Sequence, residues 1–440
     1  MRRWNLLLTK EIKDLILSRA ALVLMLILSV VIGYSFYSAV VLYGNASGAA
    51  IDNPLYATGF EPVPGVFTPT FGGLFIVFSL FLPFLLIPQI TQERRNNTLT
   101  VLLQVPFSWL EILTAKCCAA VLFVLFALAL TLPAVVLWSV WGGHVPYGEL
   151  ALLATGYLLY GIFIASVSLF AAALFDDTAR AAIVTVIVII ASWLIDFGRD
   201  MNISPLVTAV SDWTVTRMVK LFENGILSAQ ANAYFLLLSL GFAACGYWLL
   251  RFDVRQKWRH LTATAFIIIT ALYFSAHLHL NADLSESKRN SFPPHIAEAL
   301  KKVPTLTIEV YLEKTDSRFR DYQKSFLEKL YLVKPNAKVA MNSGAALKEN
   351  YGRFVYHIND REDATFSTGD EEIFPIIFGL AGIEPTREGE LSIYPGYPLV
   401  TSPRSQGAIL WVYLAVIPAL MILMFTTVHF RPRKRSEAHE

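Results

Sequence analysis

Long apolar runs separated by short charged or polar stretches dominate this chain. A helix that crosses a bilayer core needs roughly 20 apolar residues. Eight segments come close to that length: Ala20–Tyr43, Gly72–Ile90, Ala115–Trp138, Leu150–Phe175, Ala181–Ile195, Tyr234–Leu250, Leu261–His277 and Ala408–Val428. The fifth is the shortest and spans only with Trp193 and Asp196 near an interface. A charged amphipathic stretch, Met1–Arg19, precedes the first run. No small-residue cleavage site follows it, which predicts a retained first span and not a removed signal peptide.

Two polar stretches carry patterns of their own. In Ser211–Ile226, Val215, Met218 and Phe222 share one helical face while Arg217, Lys220 and Glu223 lie elsewhere, which predicts a short helix on the membrane surface. The insertion Asn281–Arg404 is large enough for a small domain. Within it Thr305–Glu313 alternates like a strand, and Asp316–Val333 has helical periodicity with Phe319, Tyr322, Phe326 and Leu330 in one stripe and Asp316 or Ser317 as cap. "AKVAMN" and "RFVYHIN" read as further strands, and "EEIFPIIFGLAGI" as a helix interrupted by Pro375. Strand, helix, strand predicts an α/β domain.

Composition sharpens this picture. Hydrophobic residues make up 55% of the 440 and charged residues only 16%, against about 25% charged in a soluble domain. The net charge of +2 is uninformative, but its placement is not. Cations cluster before the first span (Arg2, Arg3, Lys10, Lys13, Arg19), between the second and third (Arg94, Arg95, Lys116), fourth and fifth (Arg180), sixth and seventh (Arg251, Arg255, Lys257, Arg259), and after the eighth (Arg431, Arg433, Lys434, Arg435). All fall on one side if both termini are cytoplasmic, and the opposite loop Gly142–Glu149 has no Lys or Arg. The fold class expected is therefore a polytopic α-helical membrane protein with about eight transmembrane helices. A small extracytoplasmic α/β domain stands between the last two.

The chemistry is sparse. Cys117, Cys118 and Cys245 lie in apolar runs and read as core residues. No phosphate-binding loop, H-E-x-x-H or C-x-x-C motif occurs, and His277 with His279 reads as polar capping and not as a metal site. Ser291, His295 and Asp321 have no catalytic spacing. The expectation is no catalytic residue, metal or cofactor on this chain. The span interiors lack Asp, Glu, Lys and Arg, which argues against an ion-driven carrier and for energy supplied from outside the bilayer.

The charged interruption Ile90–Lys116 is the most informative stretch. Glu93, Arg94 and Arg95 belong in water, whereas Leu99, Leu102 and Leu103 can bury against a partner or the bilayer. Pro106 ends a helix, and Ser108 can start another with Glu111 as its capping-box partner. The residues alone leave two readings open: a helix–break–helix shape that docks into a partner, or a solvated positive-inside loop.

Glu93–Lys116 resembles the signature of type-2 ABC exporter permeases, E-R-x-x-G-T-L-x-x-L-L-x-x-P-x-S-x-x-E-I-L-x-G-K. Glu93, Arg94, Thr98, Leu99, Leu102, Leu103, Pro106, Ser108, Glu111, Ile112, Leu113 and Lys116 match. Asn97 and Ala115 replace glycines, and Trp109 stands where a charged residue is common. Leu7–Leu22 is similar to the family's interfacial elbow helix, and Ile203–Phe235 to its segment before span six. Asp283–Lys314 resembles instead the opening of the extracytoplasmic domain of gliding-motility-type auxiliary ABC components.

The combined resemblance implies a permease fused to a shortened auxiliary subunit. Its parts are an elbow helix (1–19), a six-span permease domain (20–252), a seventh span (261–279), an extracytoplasmic domain (281–404), an eighth span (407–429) and a basic tail (430–440). It implies ATPase coupling through the segment between spans two and three, with Glu93, Arg94, Thr98, Leu99, Leu102, Leu103, Pro106, Ser108, Glu111 and Lys116 carrying it. The implied partners are two ABC ATP-binding subunits, which hold ATP and Mg, a second permease copy as a homodimer, and the lipid bilayer, with no nucleic acid. The implied location is the bacterial cytoplasmic membrane. The alternative function is a non-transporting mechanotransmitting or scaffold component of a pilus, gliding or envelope machine.

Overall fold

A computed structural model describes residues 2–52, 54–98, 107–200, 205–251, 256–278, 280–313, 316–342, 344–383 and 394–429. The basic tail 430–440, Arg255 and His279 lie outside the described residues. Two compact units emerge: Met1–Ala191 with Asn232–Ser275 and Pro395–Glu440, and Ser192–Ala231 with Ala276–Tyr394.

The first unit is a helical bundle. Among the described residues of the chain, seven helices are long and apolar enough to cross a membrane: Arg19–Ala50, Val63–Leu80, Trp109–Val140, Tyr147–Leu174, Thr178–Gly198, Ala229–Leu250 and Pro403–His429. The expected Leu261–His277 span lies in a helix, Lys257–Ala276, that is not one of the seven. Lys257, Arg259 and His260 occupy its first turn, a polar start that sets this helix apart from the seven.

Prolines set the breaks within the spans. The second continues past Leu80 through Leu82–Leu86 and Pro88–Arg95, with Pro83 and Pro88 each opening a new helical piece. The third passes a tight turn at Ala129–Thr131 before Leu132–Val140, which carries Pro133 in its first turn. Proline lacks an N–H to donate and clashes with the preceding turn, so each piece restarts.

The last helix packs along the first. A Cβ at Gly33 would sit 2.3 Å from Tyr413 Cβ, so only glycine allows this approach. Ser29 Oγ donates to the Tyr413 carbonyl (2.5 Å), and Tyr413 Oη donates to the Leu130 carbonyl (2.9 Å). Buried Tyr413 thus ties the C-terminal helix to the first and third spans.

The second unit contains the α/β fold. Strands β1 (Ile226–Ser228) and β2 (Asn281–Asp283) pair antiparallel, so the segment before span six folds with the polar insertion. Strands β3 (Leu306–Val310), β4 (Lys338–Met341), β5 (Phe354–Ile358) and β6 (Arg361–Thr365) form a second sheet in the order β4-β3-β5-β6. β3 pairs parallel with β4 and antiparallel with β5, and β5 pairs antiparallel with β6. The parallel crossover is the helical stretch Ser317–Val333, widened by one π-type turn at Gln323–Leu327. Asp316 caps it, accepting from the Arg318 N–H (2.9 Å).

The expected stripe of Phe319, Tyr322, Phe326 and Leu330 is buried against β3 and β5 residues Ile308, Val310, Phe354, Tyr356 and Ile358 and against Ile373 and Ile377. The two buried hydroxyls of Tyr322 and Tyr356 satisfy each other at 3.0 Å. Sequence pattern missed β6, whose exposed Arg361, Glu362 and Asp363 are the charges that keep an edge strand from pairing further. It also misjudged Val215–Glu223. That helix forms, but Met218, Val219 and Phe222 are buried in protein and do not face a membrane surface. Lys220 pairs with Asp196 at 2.6 Å and Arg217 with Glu328 at 3.7 Å, which fixes its polar side too.

Phe326 has no exposed surface, whereas Phe366 is 69% exposed. Phe326→Ala is expected to destabilise the second unit by roughly 3–5 kcal/mol, and Phe366→Ala to change it by less than about 0.5 kcal/mol. Hydrogen exchange of β3 and β5 amides in the full-length protein measures both.

Candidate functional site

Helix Arg2–Ile16 places Leu7, Glu11 and Leu15 four residues apart, on one face. All three are buried. Leu7 packs with Ile112 and Ala115 near the start of the third span, beside Phe107. Glu11 is a carboxylate in the middle of this apolar stripe, and burying it unpaired would be prohibitive.

Its partner is Lys116, one helical turn beyond Ile112. Lys116 Nζ donates to Glu11 Oε2 at 2.8 Å and to the Gln89 carbonyl at 3.2 Å, and pairs with Glu93 Oε2 at 2.9 Å. Lys10 Nζ closes the circuit, 3.0 Å from Glu11 Oε1 and 3.2 Å from Glu93 Oε1. Cation and carboxylate alternate around the ring Lys10–Glu11–Lys116–Glu93, so its formal charge cancels. The Lys116 and Glu11 side chains are 2% and 3% exposed, while Lys10 opens to solvent at 41%. The ring joins three elements: the N-terminal helix, the end of span two and the start of span three.

A second clamp holds the other side of span two. Arg94 Nη1 donates to Asp176 Oδ1 at 2.7 Å and Nη2 to the Ala173 carbonyl at 3.2 Å. Thr91 and Thr178 hydroxyls meet at 2.6 Å. Asp177 accepts from the Arg180 N–H at 2.9 Å and caps the fifth span. Beneath these contacts Ile87, Ile90, Leu113, Leu169 and Ala172 form one apolar cluster.

Between the clamps the chain turns. Asn97 takes a left-handed conformation with φ of 56°, which asparagine accommodates better than most residues, and it stands where the resembled motif has glycine. Thr98 Oγ1 donates to the Glu93 carbonyl at 3.2 Å. Leu99, Leu102, Leu103 and Pro106 lie outside the described residues. The chain re-enters at Ser108, whose hydroxyl accepts from the Glu111 N–H (3.2 Å) while Glu111 Oε2 accepts from the Ser108 N–H (2.7 Å). This is the capping box that the spacing predicts.

The structure thus brings Glu93 and Lys116 together across 23 residues of sequence and sets Arg94 on a separate clamp. Sequence reading missed Lys10, Glu11 and Asp176. For Glu11 a signal existed: a lone acid between Leu7 and Leu15 on an otherwise apolar face. Asp176 had none, because its pairing depends on how the fourth span ends. Among the described residues no group of three or more His, Cys, Asp or Glu side chains is placed to hold a metal.

The ring sets a pH response. Burial opposes ionisation of Glu11, but the Lys116 and Lys10 ammonium groups beside it hold its carboxyl below the ordinary value of 4.5. Burial likewise disfavours the Lys10 cation, yet Glu11 and Glu93 raise it above 10.5. A carboxyl depressed on folding stabilises at pH above its unfolded value and loses that contribution as pH falls through its folded value. Docking of the N-terminal helix should therefore be constant near neutrality and weaken below about pH 4.5. Lys116→Met should cost roughly 3–5 kcal/mol, because it leaves two carboxylates sharing the single, half-exposed Lys10 ammonium. Glu11→Gln with Lys116→Met should recover part of that loss. Protease cleavage rates within residues 2–16 measure each case.

Comparison with known proteins bears on the matched region alone. No curated protein and no solved structure gives a match. Residues 48–199 match the family model described as ABC-2 family transporter protein, about a third of the chain. The matched stretch contains all of Glu93–Lys116 and four of the seven apolar helices, and it is similar to ABC-2 permeases.

Proposed function

We propose that this chain is the permease subunit of an ATP-driven ABC exporter, worked by separate ATP-binding subunits through residues 93–116. The observation that carries this reading is the ring of Lys10, Glu11, Glu93 and Lys116. It holds both ends of the segment on one buried ammonium, so a push on the segment reaches spans two and three and the N-terminal helix together. A solvated loop needs no such anchor. The ABC-2 match over the same residues supports the reading, as does the absence of charge from the span interiors.

Two ATP-binding subunits, each with ATP and Mg, dock on the cytoplasmic side. A second copy of this chain completes the permease in a bacterial cytoplasmic membrane. The one-sided cation clusters favour both termini inside and the α/β unit outside, an arrangement in which the helix Lys257–Ala276 also crosses, giving eight spans. One observation favours the mechanical alternative: the α/β unit incorporates residues 192–231 from the permease half itself. ATP-driven movement of the last spans would then pull directly on that unit, with or without a cargo.

Leu103→Asp tests the coupling. A carboxylate introduced at an apolar docking contact should lower permease-stimulated ATPase activity at least about tenfold, since a loss of 2–5 kcal/mol exceeds the 1.4 kcal/mol per decade. Membrane insertion should be unchanged. Full stimulation by Leu103→Asp in nanodiscs would remove the coupling assignment.

A further inference from the structure

The end of the bundle remote from the charged ring is closed by a strap. Residues 395–401, "PGYPLVT", run without helix or strand from the end of the second unit to the last helix, whose cap is Ser402. Gly396 turns the strap with a left-handed φ of 65°, and Pro395 and Pro398 flank the turn with fixed φ. Three elements of the first unit then grip it. The Tyr397 N–H donates to the Phe60 carbonyl at 2.9 Å, in the segment before span two. Tyr43 Oη, near the end of span one, donates to the Tyr397 carbonyl at 2.8 Å. The Leu399 N–H donates to Ser47 Oγ at 3.0 Å. The Tyr397 ring stacks on His144, in the loop after span three, with centroids 3.7 Å apart and planes 18° apart.

These contacts differ in kind from those below them. Trp138, Phe67 and Phe36 beneath are fully buried. Tyr397 and Leu399 are only half-buried, and Val400 is exposed. Three hydrogen bonds and a ring stack are among the contacts that hold Tyr397 and Leu399, and Thr401 is buried where the strap meets the last helix. Such a segment can release without unfolding what it covers. Because it bridges the ends of spans one, two and three, its release removes the outer link among them and leaves the packing of Tyr43 on Phe60 and Trp138 beneath.

We propose that residues 395–401 are a latch that holds this end of the bundle shut and that must lift when the permease opens there. The latch itself follows from the contacts above; its link to ATP turnover rests on the permease reading.

Two measurements test it, in a background with Cys117, Cys118 and Cys245 replaced by serine. In the first, Ser47→Cys in the purified full-length chain reacts with a bulky maleimide. Tyr397→Ala should speed labelling about tenfold, and Tyr397→Phe, which keeps the stack and the backbone bonds, should not. A Thr114→Cys reporter at the opposite end should label at the same rate in all variants, which separates release from misfolding. An unchanged Ser47→Cys rate in Tyr397→Ala overturns the latch, whatever the partner of the chain. In the second, Ser47→Cys with Leu399→Cys is oxidised in complex with the ATP-binding subunits. Crosslinking should suppress stimulated ATPase activity, and dithiothreitol should restore it. Complete crosslinking with unchanged stimulation makes the strap a static staple and overturns the proposal. Absent stimulation in the reduced protein counts against the permease reading, and the labelling arm still decides the latch.

Discussion

The Lys116 ammonium is the constraint around which the first unit is organised. It is almost entirely buried, so it must be paired, and the atoms that pair with it come from elements far apart in sequence: Glu11, Gln89 and Glu93. A buried charge that lost one partner would be left uncompensated at a cost of several kcal/mol. The N-terminal helix, the end of span two and the start of span three are therefore bound to move as one body. Apolar packing of Leu7 on Ile112 and Ala115 lies beside the Glu11–Lys116 pair, whose side chains are almost wholly shielded from water. That shielding strengthens the pairing and raises the penalty for breaking it.

The two clamps divide labour at the end of span two. Glu93 faces the ring, and Arg94, the next residue, points to Asp176 and the Ala173 carbonyl. Adjacent helical residues lie about 100° apart around the axis, so one turn reaches two neighbours at once. The acid–base order Glu93-Arg94 is thus a geometric requirement: reversing it would set a cation against Lys116 and an acid against Asp176. Left-handed Asn97 and the Ser108–Glu111 box then define where the segment leaves and where it returns.

The second unit obeys different physics. Its stability comes from an aromatic core of Tyr322, Phe326, Phe354 and Tyr356 beneath a four-stranded sheet. Its attachment to the segment before span six runs through the β1–β2 pair. Burial opposes ionisation of the Asp283 carboxyl at this joint, yet hydrogen bonds from Ser285, Ser291 and Asn290 hold it below the usual carboxylate range. Asn290 Nδ2 also donates to the Asn224 carbonyl at 2.6 Å, fastening the same joint from the other side.

Much of this architecture is written in local pattern. Apolar run length specifies the spans, alternation specifies β3 and β5, and a 3.6-residue stripe specifies Ser317–Val333, because each depends on which side of one element meets water. The Ser108–Glu111 box and the turn at Asn97 are local as well. The helix at Val215–Glu223 misled because amphipathicity states that a face must be buried and not what buries it. Edge strand β6 carries no apolar alternation to detect. What tertiary structure alone decided is partnership: Lys116 with Glu11 and Glu93, Arg94 with Asp176, Tyr397 with His144. A charge or a ring seeks a complement, but the chain's own pattern does not say which of many candidates the fold will deliver. Only packing of distant helices settles that, since pairing energy depends on distance and burial and neither is a property of sequence spacing.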